Sequence, residues 1–175
     1  RGLMKENIAF TGMMGCGKTT VSQELSKVLT NYTLVDIDKE IEKSSGKKIS
    51  EIFLKFGEPH FRMLESEKIK KFCTQKNQII AFGGGAFENE ENRKNILENC
   101  FTIYLKASPE EIFKRIKNET HRPLLSKSFS IERISEILKK RDENYQNADF
   151  IIDTDGKTPY NIVVEILGLG VVKND

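Results

Sequence analysis

Five short apolar runs recur along the chain. They occupy residues 8–10, 33–36, 79–82, 101–105 and 150–153 and are rich in β-branched and aromatic side chains. The first, third and fourth runs lack polar alternation, which is typical of strands that helices cover on both faces. The pattern therefore predicts five β-strands, of which these three are buried on both sides.

Between these runs, apolar positions recur with the period of an α-helix, most clearly in segments 19–29 and 109–118. The apolar stripes comprise Val21, Leu25, Val28 and Leu29 in the first segment and Ile112, Phe113 and Ile116 in the second. Ser108 precedes Pro109, a pair suited to the start of a helix. The alternation predicts an α/β fold of three layers, in which helices flank a five-stranded parallel sheet.

Two further segments suggest parts that serve a site. Residues 38–76 are helical in pattern but too long for a simple crossover, so we expect a substrate-binding helical insertion after the second strand. Residues 118–130 lie between two helices and have polar flanks, so we expect a lid there. No linker rich in Pro, Gly or Ser divides residues 1–175, so we expect a single domain.

Composition and charge exclude several classes of protein. The 175 residues are 38% hydrophobic and 31% charged, and the net charge is +2. Such a chain is neither disordered nor fibrous, and it lacks the basic excess of a protein that binds nucleic acid. Three widely spaced cysteines predict neither a disulfide framework nor a zinc site, and no apolar run is long enough for a membrane span. We therefore expect a cytoplasmic protein that acts on small molecules.

A glycine-rich loop joins the first predicted strand to the first predicted helix. Segment 12–19 reads GMMGCGKT, which matches the Walker A pattern in the strand-to-helix context that the motif requires. Glycines let backbone N–H groups point at phosphate oxygens, Lys18 can reach the β- and γ-phosphates, and Thr19 can bind Mg²⁺. The alternative is a plain glycine-rich turn before a helix. A dinucleotide site is disfavoured, because Lys18 and Thr19 have no role in one.

Two acids follow the second strand. Asp36 and Asp38 are expected at the carboxyl edge of the sheet, beside the phosphates, where one can serve the metal and the other the substrate. As alternate residues of an extended strand they would share a face, which favours a joint role. The alternative is an acidic pair that stabilises the N-terminus of a helix.

Arginine is the rarer basic residue of this chain, and its positions are informative. Arg62 lies one helical turn before Glu65, so the two side chains can pair. A bare surface ion pair is the alternative. Because lysine outnumbers arginine, Arg62 hints at a need for the planar, bidentate guanidinium.

The third strand runs into three consecutive glycines, Gly83, Gly84 and Gly85. Backbone amides there can approach a ligand closely, although a flexible turn is the alternative. Farther on, Arg122 on the expected lid can stabilise charge on a transferring phosphoryl group. Arg141, in the helix after the lid, can reach the same cleft.

Taken in order, these motifs resemble those of the shikimate kinase family. The resemblance extends from residue 8 to about residue 167. It combines GMMGCGKT with DIDKEIE at 36–42, GEPHFRMLE at 57–65, GGG at 83–85, RPLL at 122–125 and KRDENY at 140–145. It implies a P-loop fold of the nucleoside-monophosphate-kinase type. It also implies ATP-dependent phosphorylation of shikimate, a step of aromatic amino-acid biosynthesis, by a monomer that uses Mg²⁺.

The resemblance also assigns roles to single residues. It implies that Lys18, Asp38 and Arg122 are catalytic and that Thr19 and Asp36 hold Mg²⁺. The implied ATP-binding residues are Gly12, Met13, Met14, Gly15, Cys16, Gly17, Lys18, Thr19, Thr20, Arg115, Arg122 and Pro159. The implied shikimate-binding residues are Asp38, Phe53, Phe61, Arg62, Glu65, Gly83, Gly84, Gly85 and Arg141.

Two other functions compete with this one. A gluconate-type or other small-metabolite kinase can share the fold, because fold alone does not determine the acceptor. A non-catalytic nucleotide-binding regulator would keep the loop but would have no need of an acceptor pocket.

Overall fold

One parallel sheet forms the centre of the protein, in a computed structural model that describes residues 5–117 and 130–172. Its strands are β1 (Asn7–Thr11), β2 (Thr33–Asp36), β3 (Gln78–Ala81), β4 (Cys100–Lys106) and β5 (Phe150–Asp153). The five strands lie in the order β2-β3-β1-β4-β5, and every neighbouring pair is parallel. The predicted five-stranded α/β fold is confirmed, with each strand displaced by at most one residue at either end.

The helices follow the strands in alternation, as the sequence pattern predicted. They are α1 (Lys18–Val28), α2 (Ile37–Ser45), α3 (Ile49–Phe56), α4 (Glu58–Cys73), α5 (Glu90–Asn99), α6 (Pro109–Ile116), α7 (Ile131–Tyr145) and α8 (Pro159–Gly168). Strands β1 and β3 are buried along their whole length, since helices cover both faces of the sheet. Helix α1 packs against α8, α4 against α5, and α6 against α7.

Helix ends are explained by local chemistry. The Ser108 side chain accepts a hydrogen bond from the Glu111 N–H and so caps α6 as predicted. Gly57, with φ of 83°, separates α3 from α4. Between β2 and β3 the structure therefore holds three helices, α2, α3 and α4.

One apolar position differs from the expectation. Val28, assigned to the apolar stripe of α1, is 54% exposed, whereas Val21, Leu25 and Leu29 of the same stripe are buried. Phe56, at the end of α3, is 52% exposed, whereas Ile52 is buried. Within the described part of the chain, the helices are too short or too polar to cross a membrane.

Candidate active site

An open cleft of about 1080 Å³ lies at the carboxyl edge of the sheet. The loops that follow β1, β2 and β3 meet there, because the carboxyl ends of parallel strands share one edge. The cleft is lined by most of the predicted residues, namely Met14, Gly15, Gly17, Lys18, Thr19, Thr20, Asp36, Asp38, Phe53, Phe61, Arg62, Glu65, Gly83, Gly84, Gly85, Arg115 and Arg141. Residues that are distant in sequence thus form one site.

Four predicted residues of the described chain do not line the cleft. Gly12, Met13 and Cys16 belong to the phosphate loop, but the side chains of Met13 and Cys16 are buried in the core. Pro159 begins α8 and does not line the cleft, so its contact with ATP stays a prediction. Arg122 and the expected lid up to residue 129 lie outside the described residues.

The phosphate loop spans the six residues between β1 and α1. Gly12 has φ of 142°, and a Cβ there would lie 2.5 Å from the carbonyl oxygen of Leu105, so another residue would clash with β4. Gly17 is the N-cap residue of α1 and adopts the left-handed conformation. The first turn of α1 therefore opens into the cleft, where its N–H groups and positive dipole end suit an anion.

Two cationic side chains contact the loop backbone. The Lys18 ammonium is almost fully buried and donates to the carbonyl oxygens of Gly12, at 2.5 Å, and Met13, at 3.0 Å. Arg115 of α6 donates to the Gly15 carbonyl oxygen at 3.1 Å. Both cations thus lie against the loop and line the cleft, where they can face phosphate oxygens.

The strand geometry predicted for Asp36 and Asp38 is wrong. β2 ends at Asp36, and Ile37 already begins α2. Asp36 is the N-cap of that helix, and its side chain accepts from the Lys39 N–H at 3.2 Å. Asp38 lies in the first turn of α2, so a helix rather than an extended strand brings both carboxylates to the cleft.

Arg62 is held by two carboxylates of its own helix. Its Nη1 donates to Glu65 at 2.9 Å, and its Nη2 donates to Glu58 at 3.3 Å, one helical turn away on either side. The guanidinium also lies 5.3 Å from the centre of the Phe61 ring. Phe61 in turn contacts Phe53 of α3, with ring centres 4.7 Å apart. The arginine is therefore fixed beside an aromatic wall of the cleft.

Glu65 is fully buried although it carries a carboxylate. Burial raises its pKa to about 7, while the Arg62 guanidinium opposes that rise. Asp38 raises the pKa further, and both Asp38 carboxylate oxygens lie 3.8 Å from the position a Cβ would take at Gly83. Glu65 Oε2 lies 3.6 Å from the same position. Two acids and two arginines therefore lie in one corner of the cleft, namely Asp38, Glu65, Arg62 and Arg141.

At Gly84 the glycine run lies against both α7 and the phosphate loop. A Cβ there would lie 3.1 Å from Arg141 Nη1, 3.2 Å from the Gly12 carbonyl oxygen and 3.3 Å from the Met14 nitrogen. The glycine run after β3 is thus packed tightly against the phosphate loop and α7. This close packing favours a run held in place over the plain flexible turn that was the alternative.

Comparison with known proteins assigns this site to a family. The shikimate kinase family model matches residues 14–169. The chain belongs to the shikimate kinase family. It is 45% identical to the shikimate kinase of Thermodesulfovibrio yellowstonii over 162 residues, which are 93% of each chain. It is 44% identical to the Persephonella marina shikimate kinase, covering 93% of this chain and 97% of that one.

A solved shikimate kinase has a closely similar structure. The enzyme from Acinetobacter baumannii in complex with shikimate superimposes with a TM-score of 0.90 at 32% identity, covering 95% of this chain and 93% of that one. Family membership and this likeness confirm the resemblance and the P-loop fold predicted from the ordered motifs.

Several residues of the shikimate kinase cleft were not predicted from the sequence. They are Lys39, Glu42, Lys48, Ile49, Ser50, Ala81 and Phe82. Most lie on the helices between β2 and β3, and although Lys39 and Glu42 belong to the DIDKEIE segment, no role was assigned to them. Glu42 Oε2 accepts from the Ile49 N–H at 3.1 Å and so joins α2 to α3. A carboxylate that caps another helix is a tertiary contact, which sequence spacing does not reveal.

Proposed function

We propose that this chain transfers the γ-phosphoryl group of ATP to a hydroxyl of shikimate, giving shikimate 3-phosphate and ADP, a step of aromatic amino-acid biosynthesis. Membership of the shikimate kinase family confirms the activity predicted from the motifs. The observation that carries the proposal in this structure is one cleft that joins a phosphate loop to an arginine-rich acceptor corner.

ATP is proposed to bind with its phosphates on the loop and the first turn of α1. Lys18, Thr19 and Thr20 line the cleft there, and the Lys18 ammonium lies within hydrogen-bonding distance of the loop carbonyls. Arg115 of α6 donates to the Gly15 carbonyl oxygen, a place that suits its predicted role in ATP binding. Arg122 keeps its predicted role on the phosphates, where a cation stabilises the charge that develops during transfer.

Mg²⁺ is proposed to be held by Thr19 and Asp36. The two residues line the cleft together, where the Thr19 hydroxyl would be a direct ligand and the Asp36 carboxylate would hold the ion through water, both through the oxygen atoms that Mg²⁺ prefers. When bound, the ion neutralises charge on the phosphate oxygens. Asp36 is fixed for this role because the Lys39 N–H holds its side chain at the start of α2.

The acceptor is proposed to bind in the corner formed by α4, α7 and the glycine run. Arg62 and Arg141 supply two cations for the carboxylate of shikimate, and the tight packing of Gly84 supports its predicted backbone contact. The Phe53 and Phe61 rings form the wall against which an apolar ring face can pack. Glu65 holds Arg62 in place.

Asp38 is proposed to contact the attacking hydroxyl. It faces the cleft from the first turn of α2, near Gly83 and Glu65. Phosphoryl transfer passes through a loose transition state, so orientation of the hydroxyl and charge stabilisation supply most of the catalysis. Asp38 therefore acts either as an orienting group or as the base that takes the hydroxyl proton.

Three organisational points belong to the same proposal. We propose one domain over residues 1–175, with residues 38–76 as the substrate-binding insertion and residues 118–130 as the lid. We also propose that a monomer suffices, because residues of one chain supply both the phosphate and the acceptor parts of the cleft. Cytoplasmic localisation is proposed because all three cysteines are free thiols, as a reducing compartment would keep them.

The decisive experiment measures ADP release with shikimate, gluconate and nucleoside monophosphates as acceptors. The proposal predicts shikimate-dependent turnover that needs Mg²⁺. Turnover with gluconate alone would indicate a different small-metabolite kinase, and nucleotide binding without turnover would indicate a regulator. The Lys18→Met variant, purified in parallel, gives the background from contaminating kinases.

A further inference from the structure

Tyr145, the last residue of α7, joins that helix to the glycine run. Its hydroxyl donates a hydrogen bond of 2.5 Å to the carbonyl oxygen of Gly84. The ring is fully buried and packs on Tyr104, with ring centres 4.9 Å apart, and on Phe87 at 6.4 Å. Burial raises the pKa of Tyr145 above its ordinary value, so the hydroxyl keeps the proton that it donates. The tyrosine is therefore a fixed donor.

The bond acts on the peptide group between Gly84 and Gly85. A peptide is planar, so holding its carbonyl oxygen also sets the direction of the N–H on the following residue. Glycine has wide conformational freedom, and three glycines in a row have little of their own to define a conformation. The Gly83 and Gly85 carbonyls accept backbone hydrogen bonds from Ala86 and Glu88, and the Tyr145 hydroxyl holds the Gly84 carbonyl between them.

The same face of α7 carries Arg141, the cation proposed to bind the acceptor. Arg141 precedes Tyr145 by four residues, so both side chains project from one side of α7, and the Arg141 guanidinium also interacts with the Tyr145 hydroxyl directly. Arg141 Nη1 lies 3.1 Å from the position a Cβ would take at Gly84, and the phosphate loop atoms Gly12 O and Met14 N lie at 3.2 and 3.3 Å. The distance between Arg141 and the phosphate loop thus depends on where Gly84 is held.

We propose that Tyr145 is a positioning residue for phosphoryl transfer, because its hydrogen bond to Gly84 fixes the acceptor-side Arg141 relative to the phosphate loop. This inference rests on the proposed function, in which Arg141 binds the shikimate carboxylate and the loop binds ATP. A small error in this distance misplaces the acceptor hydroxyl relative to the phosphoryl group and slows transfer.

Tyr104 provides a matched control within the same ring cluster. It is equally buried, and its hydroxyl donates to Asp142 Oδ1 at 2.9 Å, a contact that does not involve the glycine run. Gln146 also donates to the Asp142 carboxylate at 3.3 Å, so Asp142 keeps a partner when the Tyr104 hydroxyl is removed. Tyr104→Phe and Tyr145→Phe each delete one hydroxyl and leave the rings stacked.

The test compares steady-state kinetics and thermal unfolding of the two variants with those of the unmodified protein. Tyr145→Phe should lower kcat/KM for shikimate by about tenfold, with a raised KM for shikimate and a KM for ATP within about twofold. Tyr104→Phe should keep the kinetics of the unmodified protein. Both variants should lose a similar few degrees of Tm.

Two results would overturn the inference. One is equal kinetics for the two variants; the other is a Tyr145→Phe variant that is unfolded or loses shikimate and ATP binding in parallel, since the bond would then serve stability alone. If the unmodified protein itself shows no shikimate-dependent turnover, the proposed function fails first and the inference fails with it. Turnover in the unmodified protein therefore distinguishes the two failures.

Discussion

The Arg62 guanidinium packs against Gly85 in the space that any side chain there would occupy. A Cβ at Gly85 would lie 2.8 Å from both Cζ and Nη1 of Arg62. Gly85 has φ of −89°, which every residue can adopt, so glycine is needed here for space and not for conformation. Two motifs that are separate in sequence, one on α4 and one after β3, are therefore a single contact in the site.

Gly85→Ala should displace the arginine rather than unfold the protein. The overlapping atoms belong to the end of a flexible side chain, so Arg62 can move away at small cost to the fold. We expect KM for shikimate to rise about tenfold or more, while KM for ATP changes little. Gly168→Ala is the control, because a Cβ at Gly168 meets nothing within 4 Å. Equal changes in KM for shikimate and KM for ATP would show that Gly85 does not belong to the acceptor corner.

The sequence predicted the sheet and the members of the site better than their local geometry. Five apolar runs located all five strands, and the lack of polar alternation in three of them marked the central strands, because helices cover those on both faces. Asp36 and Asp38 were correctly expected at the cleft, but on a strand. The predicted strand 33–36 coincides with β2, and the structure agrees with the alternative that the two acids stand at the N-terminus of a helix, since α2 begins at Ile37 and Asp36 caps it.

Contacts between elements that are far apart in sequence could not be predicted from the sequence. The sequence shows Tyr145 only as the last residue of the KRDENY motif, since nothing local to α7 indicates that its hydroxyl reaches Gly84. The burial of Glu65 was hidden for the same reason. An i,i+3 pair with arginine looks identical on an exposed helix, and only the tertiary structure, which places the Glu65 carboxylate close to Gly83, shows that it is buried.

Arg62→Lys should weaken shikimate binding selectively. The guanidinium spans Glu65 at 2.9 Å and Glu58 at 3.3 Å, and one ammonium cannot reproduce that planar, two-sided contact. We expect KM for shikimate to rise roughly tenfold and KM for ATP to stay within about twofold. Steady-state kinetics with each substrate varied in turn will test this.

Arg133→Lys is the matched control for Arg62→Lys. Arg133 forms an ion pair of the same i,i+3 spacing with Glu136, at 3.2 Å, but on an exposed face of α7. Its replacement should leave both KM values unchanged. If Arg62→Lys raised KM for ATP as much as KM for shikimate, Arg62 would not belong to the acceptor corner.

Lys18→Met should abolish most turnover while the protein stays folded. The buried ammonium contacts the phosphate loop at the Gly12 and Met13 carbonyls, and methionine fills similar volume without charge. We expect kcat to fall by about a hundredfold or more, since loss of one preorganised donor at developing charge costs that much. Lys27→Met, an exposed site on the same helix, should keep full activity. Near-normal kcat in Lys18→Met would contradict the phosphate-site assignment.

The buried carboxylate of Glu65 should make stability depend on pH in an unusual direction. Its pKa is about 7 in the folded protein, against 4.5 for an ordinary glutamate, so between these values the folded state binds a proton that the unfolded chain releases. The free energy of unfolding should therefore fall as pH rises from 4.5 to about 7 and level off above that, by on the order of 3 kcal/mol for this shift. This contribution is fully present below pH 4.5.

Glu65→Gln isolates that contribution, because the amide keeps the shape of the side chain but does not titrate. Urea unfolding at pH 5, 6, 7 and 8 should show the unmodified protein losing stability relative to Glu65→Gln as pH rises, with most of the loss between pH 5 and pH 7 and little above pH 7. Glu67→Gln removes an exposed carboxylate from the same helix, so its unfolding free energy should follow the unmodified protein at every pH. A difference between Glu65→Gln and the unmodified protein that is constant over this range would mean that Arg62 keeps Glu65 ionised throughout, and that the ion pair outweighs the cost of burying the carboxylate.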